Sequence, residues 1–85
     1  MSYQVLFTRR AERDFSAVPQ RDRERLAKSI DALADDPRPH RVKKLEGPDP
    51  LYRLRAGDYR VLYTVEDNVV TVTVVRVGHR RDIYR

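Results

Sequence analysis

The chain has 85 residues, no cysteine, two histidines and a formal net charge of +5. This length predicts a single domain, residues 1–85, with one modest core. The lack of cysteine excludes disulfides and thiolate metal sites, and two histidines are too few for a zinc site, so we expect no metal and no cofactor. No apolar stretch approaches the roughly 20 residues that span a bilayer. The first residues do not resemble a signal peptide, so we expect a cytoplasmic protein without a membrane partner.

The first half of the chain predicts one strand and two helices. Apolar and polar residues alternate over residues 3–7, which is typical of a short strand. Thr8 can cap a first helix, and Pro19 suits the first position of a second helix. The second helix should end at Asp36, because the residue before a proline avoids helical geometry.

The second half predicts a basic loop followed by three strands. Residues 38–50 read as a loop because proline and glycine interrupt regular structure there. The interrupting residues are Pro39, Gly47, Pro48 and Pro50. Strands are expected at residues 51–55, 59–65 and 69–77, joined by turns at Gly57-Asp58 and Asp67-Asn68. The predicted fold is α+β with the order β-α-α-β-β-β, two helices packing on one face of a mostly antiparallel four-stranded sheet.

Two-residue turns would fix the register of the last three strands. The first turn places Arg55 opposite Arg60, with Arg53 on the same face. The second turn places Val65 opposite Val70. One face then collects the expected core residues Tyr52, Leu54, Val61, Tyr63, Val65, Val70, Val72 and Val74. The opposite face collects Arg53, Arg55, Arg60, Leu62, Thr64, Thr71, Thr73 and Val75.

The three arginines on one face suggest an anion site. Like charges directly across two strands are destabilising, so folding alone does not favour this arrangement. A guanidinium group matches the oxygens of a phosphate, which favours phosphate binding between the arginines. The alternative is an ordinary solvated face, with aspartates such as Asp58 relieving the repulsion.

The positive charge of the chain is concentrated in two segments. Residues 38–60 carry seven basic and three acidic side chains, and residues 76–85 carry four basic and one acidic. This distribution indicates a polyanionic partner, with nucleic acid the leading candidate, whereas the alternative is solubility alone.

The C-terminal segment carries a second group of candidate residues. Gly78 is expected to end the last strand and let the chain turn. Histidine exchanges a proton near neutral pH, so His79 is a candidate proton carrier, and Tyr84 could donate from its phenol or stack on a base.

Four motifs together resemble the RelE family of the RelE/ParE toxin superfamily. They are Lys44-Leu45-Glu46-Gly47, Tyr52-Arg53-Leu54-Arg55, Gly57-Asp58-Tyr59-Arg60-Val61-Leu62-Tyr63 and Val77-Gly78-His79-Arg80-Arg81-Asp82-Ile83-Tyr84. The resemblance implies the toxin of a type II toxin–antitoxin pair. Such a toxin would be a metal-independent endoribonuclease that cuts messenger RNA on the ribosome and is inhibited by a cognate antitoxin protein.

The resemblance also implies roles for individual residues. Its catalytic candidates are Arg53, Arg55, Arg60, His79, Arg80 and Tyr84, and its expected RNA-binding residues are Lys43, Lys44 and Arg81. Arg53 and Arg55 stand where the family often has lysines. Arginine cannot be deprotonated in a protein, so another group must accept the proton of the attacking 2′-hydroxyl. His79 is the first candidate for this base and Glu46 the second, while the arginines would neutralise charge on the phosphorane.

Two other functions stay open. The chain could be a ParE-like toxin that binds DNA gyrase without nuclease activity, or a non-enzymatic basic binding module. The clustered arginines favour the ribonuclease, because a gyrase-binding toxin does not need a catalytic phosphate site.

Overall fold

A mixed sheet and two helices make up the computed structural model, which describes residues 2–40, 42–47 and 50–79. In these segments the elements are β1 (Gln4–Phe7), α1 (Arg9–Ser16), α2 (Gln20–Asp31), β2 (Lys43–Leu45), β3 (Leu51–Ala56), β4 (Tyr59–Glu66) and β5 (Thr71–His79). The strand order is β1-β5-β4-β3-β2, with β1 parallel to β5 and the other neighbours antiparallel. The predicted α+β class is confirmed, with five strands rather than four.

The N-terminal helix begins where the sequence predicts. The Thr8 hydroxyl oxygen accepts a hydrogen bond from the Ala11 N–H at 3.1 Å, which satisfies one of the unpaired donors at the start of α1. The same hydroxyl donates to the carbonyl of Val75 at 3.2 Å and so ties the helix start to β5. Pro19 precedes α2 as its cap residue instead of forming its first turn, and a 3₁₀ turn over Ala32–Ala34 follows that helix.

Both helices cover one face of the sheet and enclose the core. The buried core residues are Ala11, Val18, Leu26, Ile30, Leu33, Leu54, Ala56, Val61, Tyr63, Val72, Val74 and Val77. The expected core face is confirmed except at Val70, which is only half-buried in the β4–β5 loop. Tyr63 is fully buried, and its hydroxyl donates to the Pro37 carbonyl at 2.7 Å. Burial raises the pKa of the Tyr63 hydroxyl above its usual range, so the group stays a neutral donor.

The segment expected to be a basic loop contains the short strand β2, so that part of the prediction was wrong. Lys43 pairs with Arg53, Lys44 with Tyr52 and Leu45 with Leu51. The prolines and glycine that suggested a loop lie on either side of this strand and not within it. An edge strand of three residues is compatible with such flanks, because it forms ladder hydrogen bonds on one side only.

The β3–β4 register is confirmed, whereas the β4–β5 register was wrong. Arg55 lies opposite Arg60 as predicted. Val65 pairs with Val72 and not with Val70, because Asp67–Val69 forms a 3₁₀ turn and Val70 adopts a left-handed conformation with φ 48°. This four-residue connection shifts β5 by two positions, which keeps the side chains of its first half on their predicted faces.

A bulge in β5 changes the faces of its second half. Tyr63 pairs with Val74, but the preceding residue Leu62 pairs with Arg76, so Val75 is an extra residue in the ladder. The extra residue reverses the alternation beyond it and brings Val77 into the core at 2% exposure. Gly78 does not end the strand, since it pairs with Arg60 inside β5. The prediction that the chain turns away at Gly78 was therefore wrong.

Candidate active site

Within the described segments, the sheet face that the helices leave uncovered carries a cluster of basic residues, which we call the basic face. Its members are Lys43, Arg53, Arg55 and Arg60. Leu54 is buried in the helix-covered core, so its neighbours on β3 project from the other face. The same alternation applies to Arg60, which precedes the buried Val61 on β4.

The strand register brings these four residues into two adjacent rows. Arg55 lies opposite Arg60 in one row, and Lys43 lies opposite Arg53 in the next. Directly opposed residues of an antiparallel pair have Cβ atoms roughly 4.5–5.5 Å apart. Arg55 and Lys43 are exposed, whereas Arg53 and Arg60 are half-buried. Cations at this spacing repel one another, and an anionic phosphate between them would turn that repulsion into attraction.

Small and apolar residues border the basic face on the side of β5. Gly78 pairs with Arg60, so no side chain stands on β5 beside that arginine. Leu62 lies between Arg53 and Arg76 in the neighbouring row and is only 7% exposed, although it is on the helix-free face. Cations thus lie on β2, β3 and β4, whereas on β5 Gly78 leaves space beside Arg60 and Arg76 is ion-paired with Asp14.

His79 lies on the opposite face of the sheet from the arginines. It pairs with Tyr59, whose ring it meets edge to face with centroids 5.7 Å apart. With Val18 of the helix layer, both rings line a cavity of about 290 Å³. The bulge at Val75 places His79 on the helix-covered face, because it reverses which face each later residue of β5 occupies. The placement gives no support to the predicted role of His79 as base for a reaction at the basic face.

The end of α1 is fixed to β5 beyond the last residue of β1. An Asp14 carboxylate oxygen accepts from the Arg76 Nε–H at 2.9 Å and from the Val77 backbone N–H at 3.0 Å. The β1–β5 ladder ends at Phe7 and Val74, so Asp14 supplies an acceptor that β1 no longer provides. This contact holds the part of β5 that borders the basic face.

A cluster around Arg38 ties the segment before β2 to the rest of the sheet. The Arg38 guanidinium donates to both Asp67 carboxylate oxygens, at 3.2 and 2.8 Å, and to the Tyr52 hydroxyl at 3.0 Å. The Tyr3 hydroxyl donates to the same carboxylate at 2.6 Å. Hydrogen bonding from Arg38 and Tyr3 lowers the pKa of the Asp67 carboxyl below its usual range. Because its pKa is lowered, the Asp67 carboxylate stays ionised at neutral pH and holds the cluster together.

The remaining predicted residues are separate from the basic face or outside the described segments. Lys44 pairs with Tyr52, which packs against the core, so it lies on the other side of β2 from Lys43. Glu46 is exposed just after β2. Arg80, Arg81 and Tyr84 fall outside the described residues, and their roles stay predictions. Within the described segments, no group of three or more acidic or histidine side chains could hold a metal ion, and no helix is long and apolar enough to cross a membrane.

Sequence reasoning missed the position of Lys43. It was predicted as one of several RNA contacts in a loop, whereas the structure places it on a strand directly beside Arg53. The signal was present in the run Val42-Lys43-Lys44-Leu45, which lacks proline and glycine, but four residues carry too little periodicity to indicate a strand.

Comparison with known proteins relates the whole chain to bacterial and archaeal toxins. A family model described as "ParE toxin of type II toxin-antitoxin system, parDE" matches residues 5–84. Toxin RelG of Mycobacterium tuberculosis is 42% identical over 94 residues, covering 100% of this chain and 99% of that protein. The mRNA interferase toxin RelE of Escherichia coli K12 is 34% identical over 82 residues, covering 94% of this chain and 85% of that protein.

Solved structures agree with the sequence relatives. RelE in the archaeal RelE–RelB complex from Pyrococcus horikoshii OT3 superposes with a TM-score of 0.83 at 31% identity, covering 96% of this chain and 99% of that one. The toxin–antitoxin complex RelBE2 from Mycobacterium tuberculosis gives a TM-score of 0.82 at 32% identity, covering 94% of this chain and 100% of that one. The resemblance drawn from the four sequence motifs is thereby confirmed, and the chain belongs to the RelE/ParE toxin family of type II toxin–antitoxin systems.

Proposed function

We propose that this toxin is an endoribonuclease that cleaves messenger RNA on the ribosome, in the cytoplasm. The observation that carries the proposal is the basic face, where Arg55 opposes Arg60 and two further cations lie in the next row. A relative with 34% identity is named an mRNA interferase toxin, which supports the same substrate. Four cations on one face form a surface that suits a polyanion, and RNA carries a negative charge at every nucleotide.

The proposed reaction is attack of a ribose 2′-hydroxyl on the adjacent phosphate. The phosphorane that forms carries more negative charge than the starting phosphodiester. Arg53, Arg55 and Arg60 lie on one face of the rigid β3–β4 ladder, where their charges can stabilise the phosphorane. Arginine keeps its proton throughout, so these three residues act by charge and hydrogen bonding alone. Arg80 and Tyr84 are proposed to add to this site from the C-terminal segment.

A cognate antitoxin is the second proposed partner. Structures of related toxins contain RelB bound to RelE, at TM-scores of 0.83 and 0.82 to this chain. We infer that the antitoxin of this toxin places acidic or bulky groups against the basic face and so prevents RNA from binding. Free toxin should bind RNA with a strong dependence on salt, because phosphate contacts release counterions.

The test is to express the chain and map the 5′ ends of cellular messenger RNA. Cuts inside translated codons are expected for the parent and should disappear in the Arg60→Gln variant. Arg21→Gln is the matched control, because Arg21 is an exposed arginine on α2, in the helix layer. Growth arrest with intact messenger RNA and damaged DNA would contradict the proposal and favour the gyrase-binding alternative.

A further inference from the structure

The cleavage reaction needs a proton donor that three of the four basic residues cannot supply. When the P–O5′ bond breaks, the leaving 5′-oxygen takes a proton or departs as an unfavourable alkoxide. Arginine does not release a proton in proteins. His79 is on the helix-covered face, beside Tyr59. Among the four members of the basic face, Lys43 alone carries a proton that can be transferred, since the other three are arginines; the Tyr84 phenol, proposed above for the same site, lies outside the described segments.

The position of Lys43 also suits proton transfer to a phosphate on the basic face. Its strand β2 is the edge strand, and its side chain is exposed directly opposite Arg53. Arg55 is its diagonal neighbour on the same face, at a separation of roughly 7–8 Å between backbone positions, which long side chains can bridge. An ammonium group on a flexible four-carbon stem can therefore reach a phosphate bound by Arg53 and Arg55.

We propose that Lys43 is the general acid of the cleavage reaction, an inference that rests on the nuclease function proposed above. The 2′-hydroxyl loses its proton to solvent as its oxygen bonds to phosphorus. The P–O5′ bond breaks, and the leaving oxygen takes a proton from the Lys43 ammonium. The products are a 2′,3′-cyclic phosphate and a 5′-hydroxyl, and the neutral Lys43 amine regains a proton from solvent.

The family often has lysines on β3, at the positions of Arg53 and Arg55. In this chain the proposed proton donor is a lysine on β2 instead. Arg53 and Arg55 on β3 cannot transfer a proton, whereas Lys43 on β2 lies on the same face, directly opposite Arg53. Lys28 is an exposed lysine on α2, on the helix side of the sheet. Comparing Lys43 with Lys28 therefore separates the position of the ammonium group from its charge.

The experiment compares Lys43→Arg with Lys28→Arg in single-turnover cleavage of ribosome-bound messenger RNA. Arginine keeps the positive charge but cannot release a proton, so Lys43→Arg should cleave normal RNA roughly 10²–10⁴-fold more slowly than the parent. Lys28→Arg should cleave at the parental rate. A second substrate has sulfur in place of the 5′-oxygen at the cleaved linkage. Sulfur departs without protonation, so Lys43→Arg should cleave this RNA at close to the parental rate.

The outcomes distinguish the two proposals. Lys43→Arg cleaving normal RNA at the parental rate would show that only charge is needed and would overturn the role of Lys43 as acid. Equal slowing on both substrates would overturn it too, because it would indicate a role in binding or positioning. A parent that cleaves neither RNA would overturn the nuclease itself, and the role of Lys43 with it.

Discussion

Arg55 and Arg60 lie directly opposite each other on β3 and β4, on the sheet face that no helix covers. Like charges directly opposite each other on neighbouring strands are destabilising. The protein thus keeps a repulsive pair at a position where the packing of the core does not require it. Binding an anionic substrate is the role proposed above for this pair.

Replacing Arg55 should reduce activity without reducing stability. Arg55→Gln removes one cation from the phosphate site, and loss of one preorganised charge-stabilising group lowers a rate by roughly 10²–10³-fold. It also relieves the repulsion with Arg60, so the free energy of unfolding in urea should be unchanged or slightly higher. A clear loss of stability would instead make Arg55 a structural residue. Arg21→Gln on α2 controls for the general loss of one positive charge.

Replacing His79 should affect stability and leave cleavage nearly unchanged. His79→Gln removes an edge-to-face contact with Tyr59, and such contacts contribute roughly 0.5–1.5 kcal/mol. His79→Phe keeps an aromatic ring there and should be closer to the parent in thermal melting. The single-turnover cleavage rate tests whether His79 is the general base, because removal of a general base would slow cleavage by roughly 10²–10⁴-fold. A loss of that size would mean that His79 acts on the substrate after all.

The Arg38–Asp67 ion pair should make stability depend on acid pH. Hydrogen bonding from Arg38 lowers the folded-state pKa of Asp67, so the pair stabilises the fold above the usual aspartate range near 4. That stabilisation is lost as the pH falls through the lower folded pKa. Asp67→Asn should therefore lower the melting temperature at neutral pH and have less effect once the parental carboxyl is protonated. Asp58→Asn, at the exposed β3–β4 turn, is the control. If Asp67→Asn lowered the melting temperature equally at neutral pH and at a pH where the parental carboxyl is protonated, the result would contradict this account.

Asp14 should contribute to stability through its two hydrogen bonds to β5. Asp14→Ala removes the acceptor for the Val77 N–H and the Arg76 guanidinium, and an unsatisfied partly buried donor costs roughly 1–3 kcal/mol. Asp14→Asn retains an acceptor oxygen without the charge, so its loss should be smaller. Urea unfolding of the three proteins measures the difference. Identical stabilities of the alanine and asparagine variants would show that the retained oxygen is irrelevant.

Local signals in the sequence predicted most of the fold. Thr8 was identified as a helix cap because its hydroxyl is one residue before a helical apolar pattern, and the structure confirms it. The Gly57-Asp58 turn fixed the pairing of Arg55 with Arg60, because a two-residue turn leaves only one register. Each of these features depends on residues within a few positions of one another. Such features can be recognised without the rest of the molecule.

Features that depend on distant parts of the chain were not predicted. The three residues of β2 form a strand only because β3 offers an edge with which they pair. The left-handed conformation of Val70 lengthens the β4–β5 connection, although valine is disfavoured in that conformation. The local sequence does not indicate the conformation of Val70, and the run around β2 is too short to predict a strand without its partner β3.

The sequence by itself determined the family, the helix-covered core and the opposed arginines, because repeated apolar spacing and short turns encode them locally. Only the tertiary structure decided which proton-carrying residues join those arginines. One extra residue at Val75 turns His79 to the helix side, and the pairing of β2 brings Lys43 to the arginine side. The physical reason is the twofold alternation of a strand. A shift of one residue moves every later side chain to the other face, and sheet pairing over long sequence distances sets that shift.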